Sequence, residues 1–259
     1  MAALTTLASV KEYLAITTAG SDALITKLIA RESGLIEQYT SRSFPSSLNI
    51  RKRLNGSGTP LLVLPLTPII EVTLLEINGL AVPASDGVAY GYAYTPGGSA
   101  VQLVAGKFTG GHGSVVATWR SGYRTDETAE IPAQTGNDPV TVTPTFGGRA
   151  VYDAGVVDAD GVAYALVANG PVAGQYSFSG GVYTFNASNS GVEVSMTYDY
   201  VPSPVEQACI EMVGLDMKQR DNLGVSSKSL AGETVTYTTK GITASVAEML
   251  SPFRRRAPL

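Results

Sequence analysis

Ser203-Pro204-Val205-Glu206-Gln207-Ala208-Cys209-Ile210-Glu211-Met212-Val213 is the stretch that decides the fold. Ser203 and Glu206 form a capping box, and Pro204 takes the first helical position, where its missing N–H costs nothing. Val205, Ala208, Cys209, Met212 and Val213 recur at three- and four-residue spacing and make one apolar face. Asn222-Leu223-Gly224 closes the helix. The residues before Ser203 read as β structure for a long way back. A helix that returns so late needs a partner for its apolar face, and the other end of the chain offers one.

That other end opens with a short helix over 6–16, capped by Thr6, with Leu7, Val10 and Leu14 on one side. A longer helix follows. Ser21 is its N-cap, and Asp22 suits the positive helix end. Leu24, Ile25, Leu28, Ile29, Leu35, Ile36 and Tyr39 give it an apolar stripe over about twenty residues, about 30 Å. Pro45 ends it. Beyond the C-terminal helix, Glu233–Thr238 alternates as an exposed strand or arm between Gly232 and Gly241. Ser245 and Glu248 then cap a last short helix bearing Val246, Met249 and Leu250. Phe253 and Arg254-Arg255-Arg256 follow it.

Between the helical ends the period changes to two. Asn49–Leu54 and Pro60–Leu64 read as strands joined by the turn 55–58. Ile69–Ile77 ends on Asn78-Gly79, a strong hairpin signal. Val101–Val104 and Ser114–Trp119 read as a hairpin through the glycine-rich 110–113. Residues 124–138 are polar and contain Pro132, as a linker does. Further strands follow at 140–142, 162–167, 175–178, 182–185 and 192–198. Gly87-Val-Ala-Tyr90 returns as Gly161-Val-Ala-Tyr164, a faint internal echo too short to establish a duplication.

Composition supports this organisation. In 259 residues, 44% are apolar and only 15% charged, with 28 glycines. A surface so poor in charge favours an assembly subunit. The net charge of −4 is unevenly spread: 9 basic and 7 acidic residues in 1–123, 2 and 9 in 124–201, 7 and 6 in 202–259. The acidic middle block points to an inserted module. Met1–Val10 carries no signal-peptide pattern. The longest apolar run, Leu61–Ile70, is interrupted by Pro65 and Pro68, so synthesis in a cytoplasm is expected.

The two ends also carry a resemblance. Leu4-Thr-Thr-Leu-Ala-Ser-Val-Lys-Glu-Tyr-Leu14, then Asp22-Ala-Leu and Ile36-Glu-Gln-Tyr-Thr-Ser-Arg-Ser-Phe44, are similar to the opening of phage head-tail connector (adaptor) proteins. Pro204-Val-Glu-Gln-Ala, Met217-Lys-Gln-Arg-Asp-Asn-Leu-Gly224 and Val225-Ser-Ser-Lys-Ser-Leu-Ala-Gly-Glu-Thr-Val235 resemble that family's C-terminal part. Lys107-Phe and Ala117-Thr-Trp-Arg-Ser-Gly-Tyr123 resemble the strand that runs into the C-terminal helix in shorter relatives. The resemblance covers 1–123 and 202–259; residues 124–201 depart from it. It implies a dodecameric ring in the virion neck, docked on the portal protein and linked to the next neck component. Double-stranded DNA would pass through the channel without sequence-specific binding. The family commonly engages the portal through its C-terminal part. That singles out Met249, Leu250, Phe253, Arg254, Arg255 and Arg256 as a portal-docking segment. Val235 and Tyr237 are the candidate inter-subunit contacts of the arm.

No catalytic constellation, cofactor motif or metal motif is visible. His112, the single histidine, lies in Gly110-Gly-His-Gly113 and reads as a turn residue. Cys209, the single cysteine, sits on a helix's apolar face without an activating partner. Asp153, Asp158 and Asp160 fit no complete calcium loop and read as acidic turns. Arg51-Lys52-Arg53 and Arg254–Arg256 could meet phosphates, but alternation along a strand splits the first cluster between two faces. Tight phosphate binding would also hinder DNA passage.

The expected fold is therefore α+β: a helical bundle from both termini, a β region and an inserted β-rich domain at 124–201. The expected function is non-enzymatic virion assembly. The alternatives are another neck or tail-completion protein, or a virion binding module whose β insertion recognises a host glycan or a fibre.

Overall fold

The computed structural model describes residues 3–42, 44, 49–134, 136, 138–219, 227–230, 233–236 and 242–255, with backbone alone at 219, 227–230 and 233–236. The chain divides into two compact units. One combines 1–42 with 202–259; the other is 43–201.

Among the described residues the first unit holds four α-helices: α1 (Leu7–Tyr13), α2 (Asp22–Thr40), α3 (Ser203–Gln219) and α4 (Ala244–Leu250). The Thr6 side chain accepts from the Ser9 N–H, as its cap position requires. α4 is capped by Thr243, whose hydroxyl accepts from the Val246 N–H, and not by Ser245. The α3 stripe reads as anticipated, with Val205, Ala208, Cys209, Met212 and Val213 all buried. Ile25, Ile29 and Ile36 of α2 are buried too, whereas Leu35 is exposed. α1 approaches α3 at Gly214, where an added Cβ would lie 3.3 Å from Leu14 Cδ2. Polar ties flank this core. Lys11 Nζ meets Asp22 Oδ1 at 2.7 Å, Thr5 donates to Glu206 at 3.2 Å, and Arg31 pairs with both Glu32 and Asp216.

The expectation of an α+β fold built on a helical bundle is corrected here. Two of the four helices are only 7 residues long. Strands dominate the chain, and single strands reach 11 residues. Terminal apolar stripes outweighed the β-branched and aromatic content of the middle in the sequence reading, and that content governs most of the chain.

The second unit is a β structure in which one pattern occurs twice. The first copy runs β1 (Ile50–Gly56), β2 (Leu61–Val63), β3 (Ile69–Ile77), β4 (Leu80–Ala81), β5 (Gly91–Tyr94), β6 (Ala100–Val104), β7 (Gly111–Ser121). It makes two sheets, ordered β1-β7-β3-β4 and β2-β6-β5. The second runs β8 (Tyr123–Glu130), β9 (Val140–Val142), β10 (Gly148–Asp158), β11 (Ala165–Leu166), β12 (Gln175–Ser179), β13 (Val182–Phe185), β14 (Glu193–Pro202). Its sheets are β10-β14-β8 and β11-β12-β13-β9. Setting β8, β9, β10, β12, β13 and β14 against β1, β2, β3, β5, β6 and β7 reproduces both orders.

The registers agree as well. Tyr92 faces Leu103 and Tyr94 faces Val101 in the first copy; Tyr176 faces Phe185 and Phe178 faces Tyr183 in the second. Leu62 faces Val101, and Val142 faces Tyr183. Ile50 opposes the buried Trp119, and Thr125 opposes the buried Tyr198. Each copy has its own apolar core. Leu62, Leu75, Val101, Leu103 and Trp119 belong to one; Val142, Val156, Tyr183, Phe185 and Tyr198 belong to the other.

Several local readings change with this topology. The Asn78-Gly79 hairpin forms as read, with φ of 51° and 80° at its two central residues and Ile77 paired to Leu80. The strands on either side of 55–58 do not pair: β1 joins β7, and β2 joins β6 in the other sheet. Likewise 101–104 and 114–119 are not a hairpin but lie in different sheets. Residues 124–130 belong to β8, fully paired to β14, and are no linker. β10 has no counterpart in the sequence reading, because Gly148, Arg149, Asp153 and Gly155 obscure its alternation.

Candidate interaction surfaces

The C-terminal segment packs first on its own unit. Leu250 is 0% exposed and Val246 2%, so both serve the helical core. Met249 and Phe253 are half-buried and Arg254 is exposed. The Arg254 guanidinium lies 5.2 Å from the centre of the Tyr39 ring, a cation–π contact, and the Arg255 N–H donates to the Thr40 carbonyl at 2.8 Å. Arg256 lies outside the described residues. A shallow cleft beside this segment is lined by Tyr13, Glu211, Leu215, Lys218, Thr243 and Val246.

Of the arm, Ser227–Leu230 (β15) and Glu233–Thr236 (β16) pair antiparallel, and Lys228 faces Val235. They form a two-stranded sheet by themselves. Such a ribbon is marginal in isolation and gains stability from a neighbour. Tyr237 lies outside the described residues.

Cys209, Asp153 and Asp158 are engaged in structural contacts. His112 is exposed near the start of β7. Cys209 is buried, its sulfur 3.7 Å from Ser33 Oγ. Asp153 accepts from Tyr176 Oη at 2.6 Å, Tyr183 Oη at 3.0 Å and the Gly155 N–H at 3.2 Å. Asp158 accepts from the backbone of Asp160 and Val162, closing a turn. Asp160 does not join them: among the described residues no group of three or more His, Cys, Asp or Glu is placed to hold a metal. Among the described residues no helix is long and apolar enough to cross a membrane.

Burial, reinforced by the Asp153 carboxylate, pushes the Tyr176 and Tyr183 phenols well above their ordinary range. Burial and then Glu127 do the same to Tyr198. Burial works against ionisation of Glu127 itself. Hydrogen bonds from Tyr198, Phe146 and Thr145 outweigh it and hold the carboxyl below its usual value.

The two copies meet at a charged cluster that the sequence reading missed. Asp199 of β14, 0% exposed, is held by Arg124 Nε of β8 at 2.7 Å and by Arg120 of β7. Asp199 is far in sequence from both arginines, and Arg120 lies on a strand of the other sheet, so no local pattern announces the cluster. A cleft of about 460 Å³ lies alongside, lined by Pro68, Ile70, Pro96, Tyr123, Arg124 and Asp126.

No family model matches the chain, and no curated protein matches it. Solved structures resemble it, among them two GTA particle necks. The neck of an empty GTA particle, computed with C6 symmetry, aligns at 12% identity and a TM-score of 0.45, over 100% of this chain and 95% of that one. The neck of a native GTA particle, computed with C12 symmetry, aligns at 12% identity and 0.41, over 98% and 90%.

Proposed function

We propose that the chain is a structural subunit of a phage-type neck and not an enzyme. It forms a ring, extends the DNA channel from the portal and carries the next neck component. The observation that carries this reading is the compact unit made from 1–42 and 202–259. It joins the two ends of the region, 1–123 and 202–259, in which the sequence resembles head-tail connector proteins, and those ends are far apart in the chain. The DNA-facing role needs no basic surface, because a conduit works best when phosphates pass without tight binding.

Within this reading the outward part of the C-terminal segment, Phe253 and Arg254 with Met249 behind them, meets the portal, while Leu250 anchors the segment to its own unit. The test is direct. Purified portal rings mixed with the chain should co-sediment with it, and electron microscopy should show an added ring in line with the portal channel. Truncation after Gly241 should abolish binding. A full-length chain that leaves portal rings bare at saturating concentration sinks the proposal. Wild-type affinity after the truncation removes only the docking segment from it.

A further inference from the structure

The two β copies differ in a concerted way on one pair of strands. β1 ends the sheet order β1-β7-β3-β4, and β8 ends β10-β14-β8. They are the same strand of the repeated pattern. Arg51 faces Thr118 and Lys52 faces Ala117 in the first copy; Asp126 faces Thr197 and Glu127 faces Met196 in the second. Counted from the buried Trp119 and Tyr198, Arg51 stands where Asp126 stands, and Lys52 where Glu127 stands. The same edge is basic in one copy and acidic in the other.

These charges are presented outward. Arg51, Lys52 and Arg53 are all exposed, as are Asp126, Thr128 and Glu130. Arg51 makes only a loose pair with Glu76, at 3.6 Å with the arginine side chain 63% exposed. Glu127 is committed to Tyr198 and the 145–146 backbone. Lys52, Arg53, Asp126 and Glu130 enter no ion pair among the described residues.

An edge strand offers unpaired N–H and C=O groups to any other strand, and a row of like charges keeps out its own kind. β1 against β1 sets basic residues opposite basic ones, and β8 against β8 sets acids opposite acids. Only β1 against β8 is attractive. We propose that β1 of one molecule pairs along β8 of a second copy of this chain, joining their sheets across the subunit boundary. The contact is heterologous. Each copy uses one edge and leaves the other for the next, the arrangement that closes into a ring when the rotation permits. Exclusion of the homotypic pairs supplies the specificity. The inference leans on the neck reading only for ring closure; the pairing itself is a property of the chain alone.

The experiment is sedimentation equilibrium on the full chain with a charge swap. The wild type should gain mass with concentration at about 0.05 M salt, and its dissociation constant should rise roughly tenfold or more at about 0.5 M, because exposed charges are screened. Arg51→Glu/Lys52→Glu/Arg53→Glu should be monomeric, and so should Asp126→Lys/Glu130→Lys. An equimolar mixture of the two variants should associate again, since each now offers the complement of the other. Misfolding cannot produce that rescue. A wild type that stays monomeric throughout, or reversed variants that associate as it does, overturns the pairing. Either variant ringing the portal normally also overturns it and leaves the neck reading standing. Salt-sensitive association with no affinity for portal does the reverse.

Discussion

The first and second β copies reach one topology with different cores. The first is mostly aliphatic around Trp119, with Leu62, Ile69, Val72, Leu75, Val101 and Leu103. The second places Tyr183 where the first has Val101, Phe185 where it has Leu103, and Tyr198 where it has Trp119. A strand order is therefore compatible with either chemistry, provided volume and polar ends are satisfied. The polar ends explain much of the charge contrast. Trp119 needs one acceptor and uses the Leu66 carbonyl at 3.0 Å. The buried phenols of the second copy need several, and Asp153 and Glu127 provide them. Asp199 is consumed by two arginines. What remains on the outside, Asp126 and Glu130 above all, is the part available to partners.

The sharpest break in this comparison is at the cluster the copies share. Asp199→Ala leaves Arg120 and Arg124 without their buried counter-charge and should cost about 3–5 kcal/mol in urea unfolding. An unchanged midpoint would show that the copies are joined by packing alone. Asp153→Ala should cost about 1–3 kcal/mol, because two buried hydroxyls lose their acceptor. Adding Tyr176→Phe and Tyr183→Phe should recover most of that loss; no recovery would mean that Asp153 acts through Gly155 and the β10 backbone instead.

Alkaline pH separates the copies without mutation. The phenols of Tyr176, Tyr183 and Tyr198 are raised in the folded chain. Their contribution is complete below the unfolded value of about 10 and is lost as pH climbs above it toward the folded values. The single tryptophan lies in the first copy. On raising the pH, tyrosine ionisation with loss of second-copy structure should precede the shift in Trp119 emission. Simultaneous transitions would make the two cores one cooperative unit. The smallest effect is expected at the turn. Asn78→Ala forces alanine to φ near 51° and should cost about 1 kcal/mol in thermal or urea unfolding.

The repeat was nearly invisible in the sequence for reasons these residues make plain. The Gly87-Val-Ala-Tyr90 and Gly161-Val-Ala-Tyr164 echo joins segments that are not equivalent. The equivalent turns are Asn78-Gly79-Leu80-Ala81-Val82 and Asp160-Gly161-Val162-Ala163-Tyr164. Gly79 and Gly161 both have φ of 80° there. Val82 and Tyr164 each donate back to the preceding strand, at Leu75 and Val156. The second turn is one residue longer, which hides the match from any ungapped reading.

Periodicity and capping by themselves determined the local elements: the α2 and α3 stripes, the Thr6 cap and the Asn78-Gly79 hairpin. Each depends on residues within a turn or two of one another, so the chain carries the signal locally. Only tertiary structure decided which strands pair. β8 is polar enough to read as a linker, and it becomes a strand because β14 supplies its hydrogen bonds from roughly sixty to eighty residues away. The opposed edges β1 and β8, and Asp199 between Arg120 and Arg124, exist only once those pairings are made. Strand pairing is non-local, and its energy comes from backbone groups that every sequence shares.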